Sequence, residues 1–239
     1  MKPYDDSEDK GGQVKRMFDA IAPRYDLLNH LMTLGIDKLW RRKLARRVRR
    51  EAPLKVLDLA TGTGDMAVLL ARTLPLVHVT GADPSPGMLA GAQKKVEKKG
   101  LQKRVALIEV SAEALPFDEG SFDAATAVFG VRNFSDIPSG LAQMTRVVKR
   151  GGAVYVLEFA VPRNKIFGYL YHGYFHRIVP ALGGWISGDR RAYDYLPRSV
   201  DGFPPREEFL GAMQKAGLRE CSADGVFFGI ANIYKGVKI

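Results

Sequence analysis

The sequence predicts a doubly wound α/β fold, in which helices cover both faces of a mostly parallel sheet. Short apolar runs rich in β-branched residues recur along the chain, amphipathic helical patterns separate them, and a glycine-rich turn follows the first run. Strands that alternate with helices are typical of parallel sheets buried on both faces. The predicted strands are KVLDLA (55–60), HVTGAD (78–83), VALIEVS (105–111), FDAATAVFG (122–130) and AVYVLEFA (153–160).

The clearest helix is predicted for SPGMLAGAQKKVEKKG, residues 85–100. Ser85 is a favourable capping residue, Pro86 suits the first helical position, and Gly100 is a typical stop. The apolar residues between them recur at the spacing of one helix face. This segment therefore predicts a helix packed on the sheet.

The end of the chain departs from strict alternation. PPREEFLGAMQKAGL predicts a helix that stops at Gly217, and SADGVFFGIANIYKGVKI predicts two strands joined near Asp224 and Gly225. The sheet should therefore close with an antiparallel hairpin.

The chain of 239 residues shows no linker rich in proline, glycine or serine, so one domain is expected. The polar first dozen residues predict a disordered tail at 1–14, followed by a single domain at 15–239. Within that domain we expect a helical cap at 15–50. Residues 164–200 fit neither pattern and predict an inserted lid.

Composition limits the cellular setting. The lone Cys221 allows no disulfide within the chain, which favours a reducing cytoplasm. The most apolar long window, 166–186, contains two histidines, an arginine and a proline, so it is not typical of a membrane span. We expect a cytoplasmic protein.

A basic run, RRKLARRVRR at 41–50, stands out in a chain of net charge +10. Such a run is typical of a solvated helix face, an anionic membrane surface or a nucleic-acid contact. The sequence lacks base-stacking motifs, so we predict no nucleic-acid partner. A nucleic-acid-binding module would bind RNA or DNA in a strongly salt-dependent way.

The turn after the first strand, LDLATGTGDMA, places Gly62 and Gly64 before a helix, and Asp83 follows at the end of the next strand. This spacing is typical of dinucleotide sites, where an acid holds ribose hydroxyls. Asp65, however, would repel a pyrophosphate at the positive helix N-terminus. A phosphate-free cofactor, S-adenosylmethionine, fits better, and Asp58 adds to the negative charge around the turn. The simpler alternative is a tight turn with a capping aspartate.

Ser111 and Ala112 follow the third predicted strand. Ligands of such sheets lie beyond the carboxyl ends of the strands, so this turn should pass the adenine edge of the cofactor. A cap by Ser111 would explain the same residues.

Several motifs together resemble a known family. LDLATGTGD, GADPSPGML, AEALPF, SFDAATAVFGVRNF and YDYLPRSVDGFP are similar to segments of the class I methyltransferases, specifically the quinone C-methyltransferases of menaquinone and ubiquinone biosynthesis. The likeness runs from Phe18 to the closing YKGVKI. It implies a Rossmann-like fold, S-adenosylmethionine as cofactor and a prenylated quinol substrate, with the branch left open. It also implies cofactor contacts at Thr63, Asp83, the Ser111 and Ala112 pair, and the backbone of Val128.

FGVRNF carries the predicted chemistry. Arg132 and Asn133 follow the fourth strand, where donors aimed at a developing oxyanion would assist methyl transfer to a ring carbon. We assign charge stabilisation to Arg132, because an arginine side chain stays protonated and is a poor general base, and we assign orientation of a quinol oxygen to Asn133. The alternative is a surface salt bridge from Arg132 to Asp136 and a turn-forming asparagine. Tyr25, within APRYD, could reach over the cofactor.

His172 and His176 are spaced like helix-borne metal ligands, but no glutamate completes the motif and we predict no metal site. The aromatic residues around them favour a passage for an isoprenoid tail. Such a tail lies in bilayers, so we expect transient contact with the inner face of a membrane through the basic run. A homodimer is compatible with these patterns. A methyltransferase for another small apolar molecule, such as a sterol or a phenol, is the alternative within enzymes.

Overall fold

The computed structural model describes residues 2–4, 9–33, 35–160, 173 and 190–239. Seven strands form one sheet in the order β3-β2-β1-β4-β5-β7-β6. Neighbours among β1 to β5 are parallel, and β7 is antiparallel to both β5 and β6. The strands are β1 Lys55–Leu59, β2 His78–Asp83, β3 Val105–Glu109, β4 Phe122–Val128, β5 Val148–Phe159, β6 Leu218–Val226 and β7 Ala231–Lys238. The prediction of a mostly parallel sheet closed by an antiparallel hairpin is confirmed.

Helices cover both faces of this sheet. Trp40, Leu44 and Leu70 belong to the core on one face, and Leu141 and Phe209 belong to the core on the other. The described helices are α1 Lys10–Met32, α2 Asp37–Arg50, α3 Asp65–Thr73, α4 Pro86–Lys98, α5 Ile137–Val147, α6 Arg190–Asp201 and α7 Arg206–Lys215. None of them is long and apolar enough to cross a membrane.

Helix α4 begins as its sequence predicts. The Ser85 hydroxyl accepts a hydrogen bond from the Met88 amide at 3.1 Å, and Pro86 occupies the first helical position. Asp19 of α1 reinforces this end by accepting from the Ser85 hydroxyl at 2.6 Å and from the Gly87 amide at 2.9 Å. The start of α4 thereby fixes α1 over the sheet.

The turn between β6 and β7 is not where the sequence predicts it. Asp224 and Gly225 lie in the ladder, and the turn falls at Phe227–Gly229. The ladder continues because Val226 and Ile233 are buried against the core. The burial of the two strands therefore outweighs the local turn preference of Asp-Gly.

The boundary of the predicted tail is wrong for residues 10–14, which form the first turns of α1. Val14, Met17 and Ile21 lie on one helix face and pack with Tyr195 and Leu196 of α6. This apolar spacing makes the segment part of the cap, although its composition is polar.

Only part of the predicted lid at 164–200 is described. Residues 190–200 lie within α6. Apart from residue 173, positions 161–189 lie outside the described residues, and with them His172, His176 and most of their aromatic neighbours.

Candidate active site

A cavity of about 550 Å³ lies at the carboxyl ends of β1, β2 and β4, the edge where doubly wound sheets bind ligands. Its floor includes Ala60, Asp83 and Gly130, which follow or end these strands. Phe18 and Tyr25 of α1 also line it. The cap therefore forms one wall of the cavity.

The glycine turn after β1 uses its two glycines differently. Gly62 has a φ of +56°, and a Cβ built on it would meet no atom within 4 Å, so its face is open to a ligand. Gly64 has a φ of +80°, and a Cβ there would lie 3.0 Å from the Cβ of Ala92 in α4. Gly64 does not line the cavity. Gly64 therefore permits close packing of α4, and its cofactor contact stays a prediction.

Asp83 is the aspartate near the glycine turn that lines the cavity. Its carboxylate accepts from the Gly62 amide at 2.8 Å and from the Ser85 amide at 3.0 Å, which fixes its orientation. Burial raises the pKa of Asp83 to about 6, and the two amide hydrogen bonds only partly oppose this shift. A carboxylate has about four lone-pair sites, so acceptor capacity remains for ligand hydroxyls.

Asp58 lies beneath the turn. Its carboxylate accepts from the Thr61 hydroxyl at 2.6 Å and from the Thr126 hydroxyl at 2.7 Å, and the residue is 1% exposed. Burial raises the pKa of Asp58 to about 6, although both hydroxyls stabilise its charge. The structure thus gives Asp58 a supporting role, whereas the sequence predicted a direct cofactor contact.

Asp65 is compensated by a cation that the sequence argument overlooked. Lys95 of α4 lies 2.5 Å from Asp65 and 2.6 Å from Asp26 of α1. The Thr63 hydroxyl donates to Asp26 at 2.5 Å and accepts from Lys95 at 2.9 Å. Lys95 offsets only part of this negative charge, because Asp65 and Asp26 share it, so the predicted repulsion of a pyrophosphate stays a prediction. Thr63 does not line the cavity, and its hydroxyl is already engaged.

The other predicted cofactor residues meet at the cavity. Ser111, Ala112 and Val128 all line it. Glu113 holds their turn in place by accepting from the amides of Ser135 at 2.7 Å and of Asp136 at 3.2 Å, which join the loops after β3 and β4.

Arg132 pairs within the protein and does not line the cavity. Its guanidinium lies 2.5 Å from the Glu158 carboxylate, and both residues are buried, at 8% and 0% exposure. The same guanidinium donates to the Phe129 carbonyl at 2.6 Å and to the Ser199 hydroxyl at 3.2 Å. The expectation that a substrate oxygen is its partner is wrong, because the fully buried charge of Glu158 requires a cation. The alternative pairing with Asp136 is also wrong, since that carboxylate caps α5.

The electrostatic attraction of Glu158 keeps Arg132 charged. Burial lowers the pKa of Arg132, but attraction to Glu158 more than compensates and raises the pKa above its ordinary value. The guanidinium also lies over the Phe159 ring, 5.4 Å from its centroid.

Asn133 does line the cavity. Its side-chain oxygen accepts from the Tyr195 hydroxyl of α6 at 3.2 Å. The amide nitrogen therefore remains to donate elsewhere. FGVRNF and YDYLPRSVDGFP, separate in sequence, thus meet at the site.

A sequence model of the ubiE/COQ5 methyltransferase family matches residues 5–238. The chain is 47% identical over 220 residues to the demethylmenaquinone methyltransferase of Thermus thermophilus, covering 92% of this chain and 99% of that protein. It is 43% identical over 231 residues to the ubiquinone/menaquinone biosynthesis C-methyltransferase UbiE of Geobacter sulfurreducens, covering 96% of this chain and 90% of that protein. This chain belongs to the ubiE/COQ5 methyltransferase family.

Solved structures confirm the fold of this methyltransferase. A SAM-dependent methyltransferase of Thermotoga maritima, described as a possible histamine N-methyltransferase, has a TM-score of 0.64 at 20% identity, covering 95% of this chain and 100% of that one. The [4+2]-cyclase SpnF has the same TM-score at 19% identity and covers 95% of each chain.

The cofactor of this methyltransferase is S-adenosylmethionine, and the residues present fit it. The open face of Gly62 admits a ligand against the backbone, and the Asp83 carboxylate offers an acceptor suited to ribose hydroxyls. The cavity is also within the size range of small-molecule sites.

Tyr25 lies where the sequence predicted, over the site. It lines the cavity and packs edge-on against Phe18, with ring centroids 6.0 Å apart. Burial raises the pKa of Tyr25, although the charges of Arg132 and Arg41 oppose this shift. Its hydroxyl therefore stays protonated and can donate a hydrogen bond.

Sequence reasoning missed Glu158, Tyr195 and Ser199. One signal for Glu158 was present: an acid inside the apolar strand AVYVLEFA must find a cation, and Arg132 follows the neighbouring strand. The roles of Tyr195 and Ser199 depend on how α6 docks, which no local pattern encodes.

The buried ion pair generates a stability prediction. Glu158→Ala should lower the free energy of unfolding by about 3–5 kcal/mol, because Arg132 would remain buried without its counter-ion. Glu109→Ala is the control, since Glu109 forms an exposed pair with Lys15 and should cost at most about 1 kcal/mol. Urea unfolding measures both, and equal losses would contradict the assignment.

Proposed function

We propose that this methyltransferase transfers a methyl group from S-adenosylmethionine to a ring carbon of a prenylated quinol, with demethylmenaquinol as its substrate. The proposal rests on one observation: Asp83 and Asn133 line the same cavity. The chain that carries them is 47% identical to a demethylmenaquinone methyltransferase. The second candidate is methylation of a prenylated methoxy-benzoquinol in the ubiquinone pathway. It is favoured by relatives such as that of Geobacter sulfurreducens, whose name covers both pathways.

The cofactor-binding residues divide by chemistry. Asp83 accepts from the ribose hydroxyls, and the open backbone at Gly62 lies beside it. Ser111 and Ala112 contact the adenine edge, and Val128 contributes its backbone at the end of β4. Thr63 acts through the backbone of the turn, because its hydroxyl bonds to Asp26.

When bound, the cofactor supplies an electrophilic methyl group on a sulfonium. A quinol ring carbon attacks well only when an adjacent hydroxyl has lost, or nearly lost, its proton. The Asn133 amide donates to that oxygen and orients the ring, and Tyr25 supplies a second donor from α1. Fixed donors of this kind stabilise a developing oxyanion by roughly 3 kcal/mol each.

Arg132 is a positioning residue in this scheme. It anchors the segment that carries Asn133, and its side chain contacts Glu158 and Ser199 within the protein. Its positive charge also reaches the Tyr25 hydroxyl, so it favours anionic character nearby without touching the substrate.

The substrate's tail implies a location. A prenyl chain lies in the bilayer, so the enzyme works in the cytoplasm at the inner face of the membrane. The single cysteine is in keeping with a reducing compartment.

Methyl transfer to a defined quinol tests the proposal. The protein is incubated with labelled S-adenosylmethionine and with demethylmenaquinol or the demethylated methoxy-benzoquinol, both kept reduced. We expect label mainly in the naphthoquinol product. Preferential labelling of the benzoquinol would favour the second candidate. Absence of transfer to either quinol would contradict both candidate functions.

Cofactor affinity should depend on the charge of Asp83. The folded-state pKa is raised to about 6, so the carboxylate is ionised above that pH. Below it, protonation removes the charge and turns one oxygen into a hydrogen-bond donor, which no longer matches a ribose hydroxyl held as a donor. We expect affinity for S-adenosylmethionine to fall by about tenfold per pH unit below about pH 6. Asp83→Asn should weaken binding and flatten this profile in calorimetric titrations.

Glu109→Gln is the matched control for Asp83, because Glu109 also lines the cavity but is half exposed and paired with Lys15. This variant should keep the pH profile of the parent. If it flattened the profile while Asp83→Asn kept it, the ribose contact would belong elsewhere.

Tyr195→Phe should lower kcat by about tenfold and leave cofactor affinity unchanged, because the Asn133 amide would lose the partner that sets its orientation. Tyr155→Phe is the control, since Tyr155 is equally buried but bonds to Glu51 away from the cavity. Steady-state kinetics and titrations separate the effects. Equal loss of kcat in both variants would indicate a general structural effect.

A further inference from the structure

The outer face of α2 carries an unusual concentration of positive charge. Trp40, Leu44 and Val48 are buried on the inner face, together with Arg41, which pairs with Asp37. The other basic residues of the helix point outward, except for Arg47, which bonds to Asp224 of β6 at 2.6 Å. Besides Lys38 in the first turn, the exposed cations are Arg42, Lys43, Arg46, Arg49 and Arg50.

These five cations lack acidic neighbours. None of them forms an ion pair with any acidic side chain in the described part of the chain. Leu39 lies on the same helix face and is 59% exposed. The face is therefore cationic with an apolar residue at its N-terminal end.

The turn between β6 and β7 adds two aromatic rings. Phe227 and Phe228 are 47% and 65% exposed, unusual values for such large apolar side chains. Their φ angles are +44° and +56°, in the left-handed region that large side chains rarely adopt. A strained backbone that presents apolar rings to solvent points to a function.

The aromatic turn lies beside α2. The Phe227 ring lies 6.4 Å from that of Trp40, the neighbour of Leu39 in α2. The ion pair between Arg47 and Asp224 further ties α2 to β6. We call this surface the docking face: Leu39, Arg42, Lys43, Arg46, Arg49, Arg50, Phe227 and Phe228.

The apolar end of the docking face shares an edge with the active-site cavity. Phe159, the last residue of β5, pairs with Ala231, the first residue of β7, so the turn at 227–229 lies at the carboxyl edge of the parallel strands. Trp40 contacts Phe129 and Phe159 at this edge, with ring centroids 6.1 Å away in each case.

We propose that the docking face binds an anionic lipid bilayer, with the aromatic turn inserted among the acyl chains and the α2 cations on the headgroups. The inference rests on the proposed function, since a prenylated quinol must be taken from a membrane. Cations beside exposed apolar rings match the charge and the apolar depth of an anionic interface. The arrangement places the cavity edge toward the bilayer that holds the substrate.

Vesicle flotation tests this proposal. The full chain should float with phosphatidylcholine vesicles that contain phosphatidylglycerol, and much less with pure phosphatidylcholine, and added salt should weaken binding. Neutralising three cations together, with Arg42→Gln, Lys43→Gln and Arg46→Gln, should reduce binding about a hundredfold, or roughly fivefold per charge. Failure of the parent chain to prefer the anionic vesicles would overturn the proposal.

The matched control removes the same number of charges from α4, with Lys94→Gln, Lys98→Gln and Lys99→Gln, all at exposed positions. It should bind anionic vesicles like the parent. Equal losses in the two triple variants would overturn the proposal in favour of a general effect of net charge.

Phe228→Asn tests the apolar part, because asparagine tolerates a positive φ and keeps the turn intact. We expect binding to fall about tenfold from the lost burial of one ring. Unchanged binding would overturn the insertion of the turn.

Two measurements address other occupants of the docking face. Binding to an RNA oligomer that is lost in the α2 variant, with vesicle binding retained, would assign the face to nucleic acid. Self-association of the parent in sedimentation velocity that is abolished by Phe228→Asn would assign it to a second copy. Either outcome overturns the proposal.

Methyl transfer to a short-tailed, water-soluble quinol without vesicles separates this inference from the proposed function. The docking-face variants should match the parent in that assay, since none of the substituted residues lines the cavity. Absence of transfer by the parent would refute the proposed function, whereas full transfer with no vesicle binding would refute only the docking face.

Discussion

The buried contact between Arg132 and Glu158 is the interaction on which the site depends. Glu158 is fully buried at the end of β5, so its charge must be compensated within the fold. The backbone amide and the guanidinium of Arg132 both donate to the Glu158 carboxylate. The same guanidinium also donates to the Ser199 hydroxyl of α6. Tyr195 lies one helical turn before Ser199 and bonds to Asn133. One ion pair thus joins two strand ends and a helix, and sets where the adjacent Asn133 amide lies.

The three aspartates around the glycine turn show how one residue type performs different tasks. Asp58 is enclosed by hydroxyl donors and supports the turn from below. Asp65 shares Lys95 with Asp26 of α1, and the same lysine donates to Thr63. Asp83 alone among them presents acceptor capacity to the large cavity. A count of carboxylates therefore does not show which of them can meet a ligand, and Asp83 is the one of the three that lines this cavity.

Features with local physical causes could be predicted from the sequence. The mostly parallel sheet, the cap of α4 by Ser85 and the glycine turn at Gly62 follow from periodicity, capping and spacing. The partner of Arg132 could not be read in this way, because Glu158 lies on a neighbouring strand and the pairing is a tertiary event. The start of α1 and the position of the last turn were misjudged for a related reason: burial against distant elements outweighed local composition.

The strained turn at Phe227 and Phe228 bears on attempts to make this enzyme more robust. Residues at such φ angles cost of order 1–3 kcal/mol each, and glycine or asparagine would relieve that cost. A stability-guided redesign would therefore choose this turn first for replacement. With the rings inserted in the membrane, the same change would give a more heat-resistant enzyme that reaches its substrate less well. The backbone of residues 227–229 therefore sets a trade-off between stability and access to the substrate.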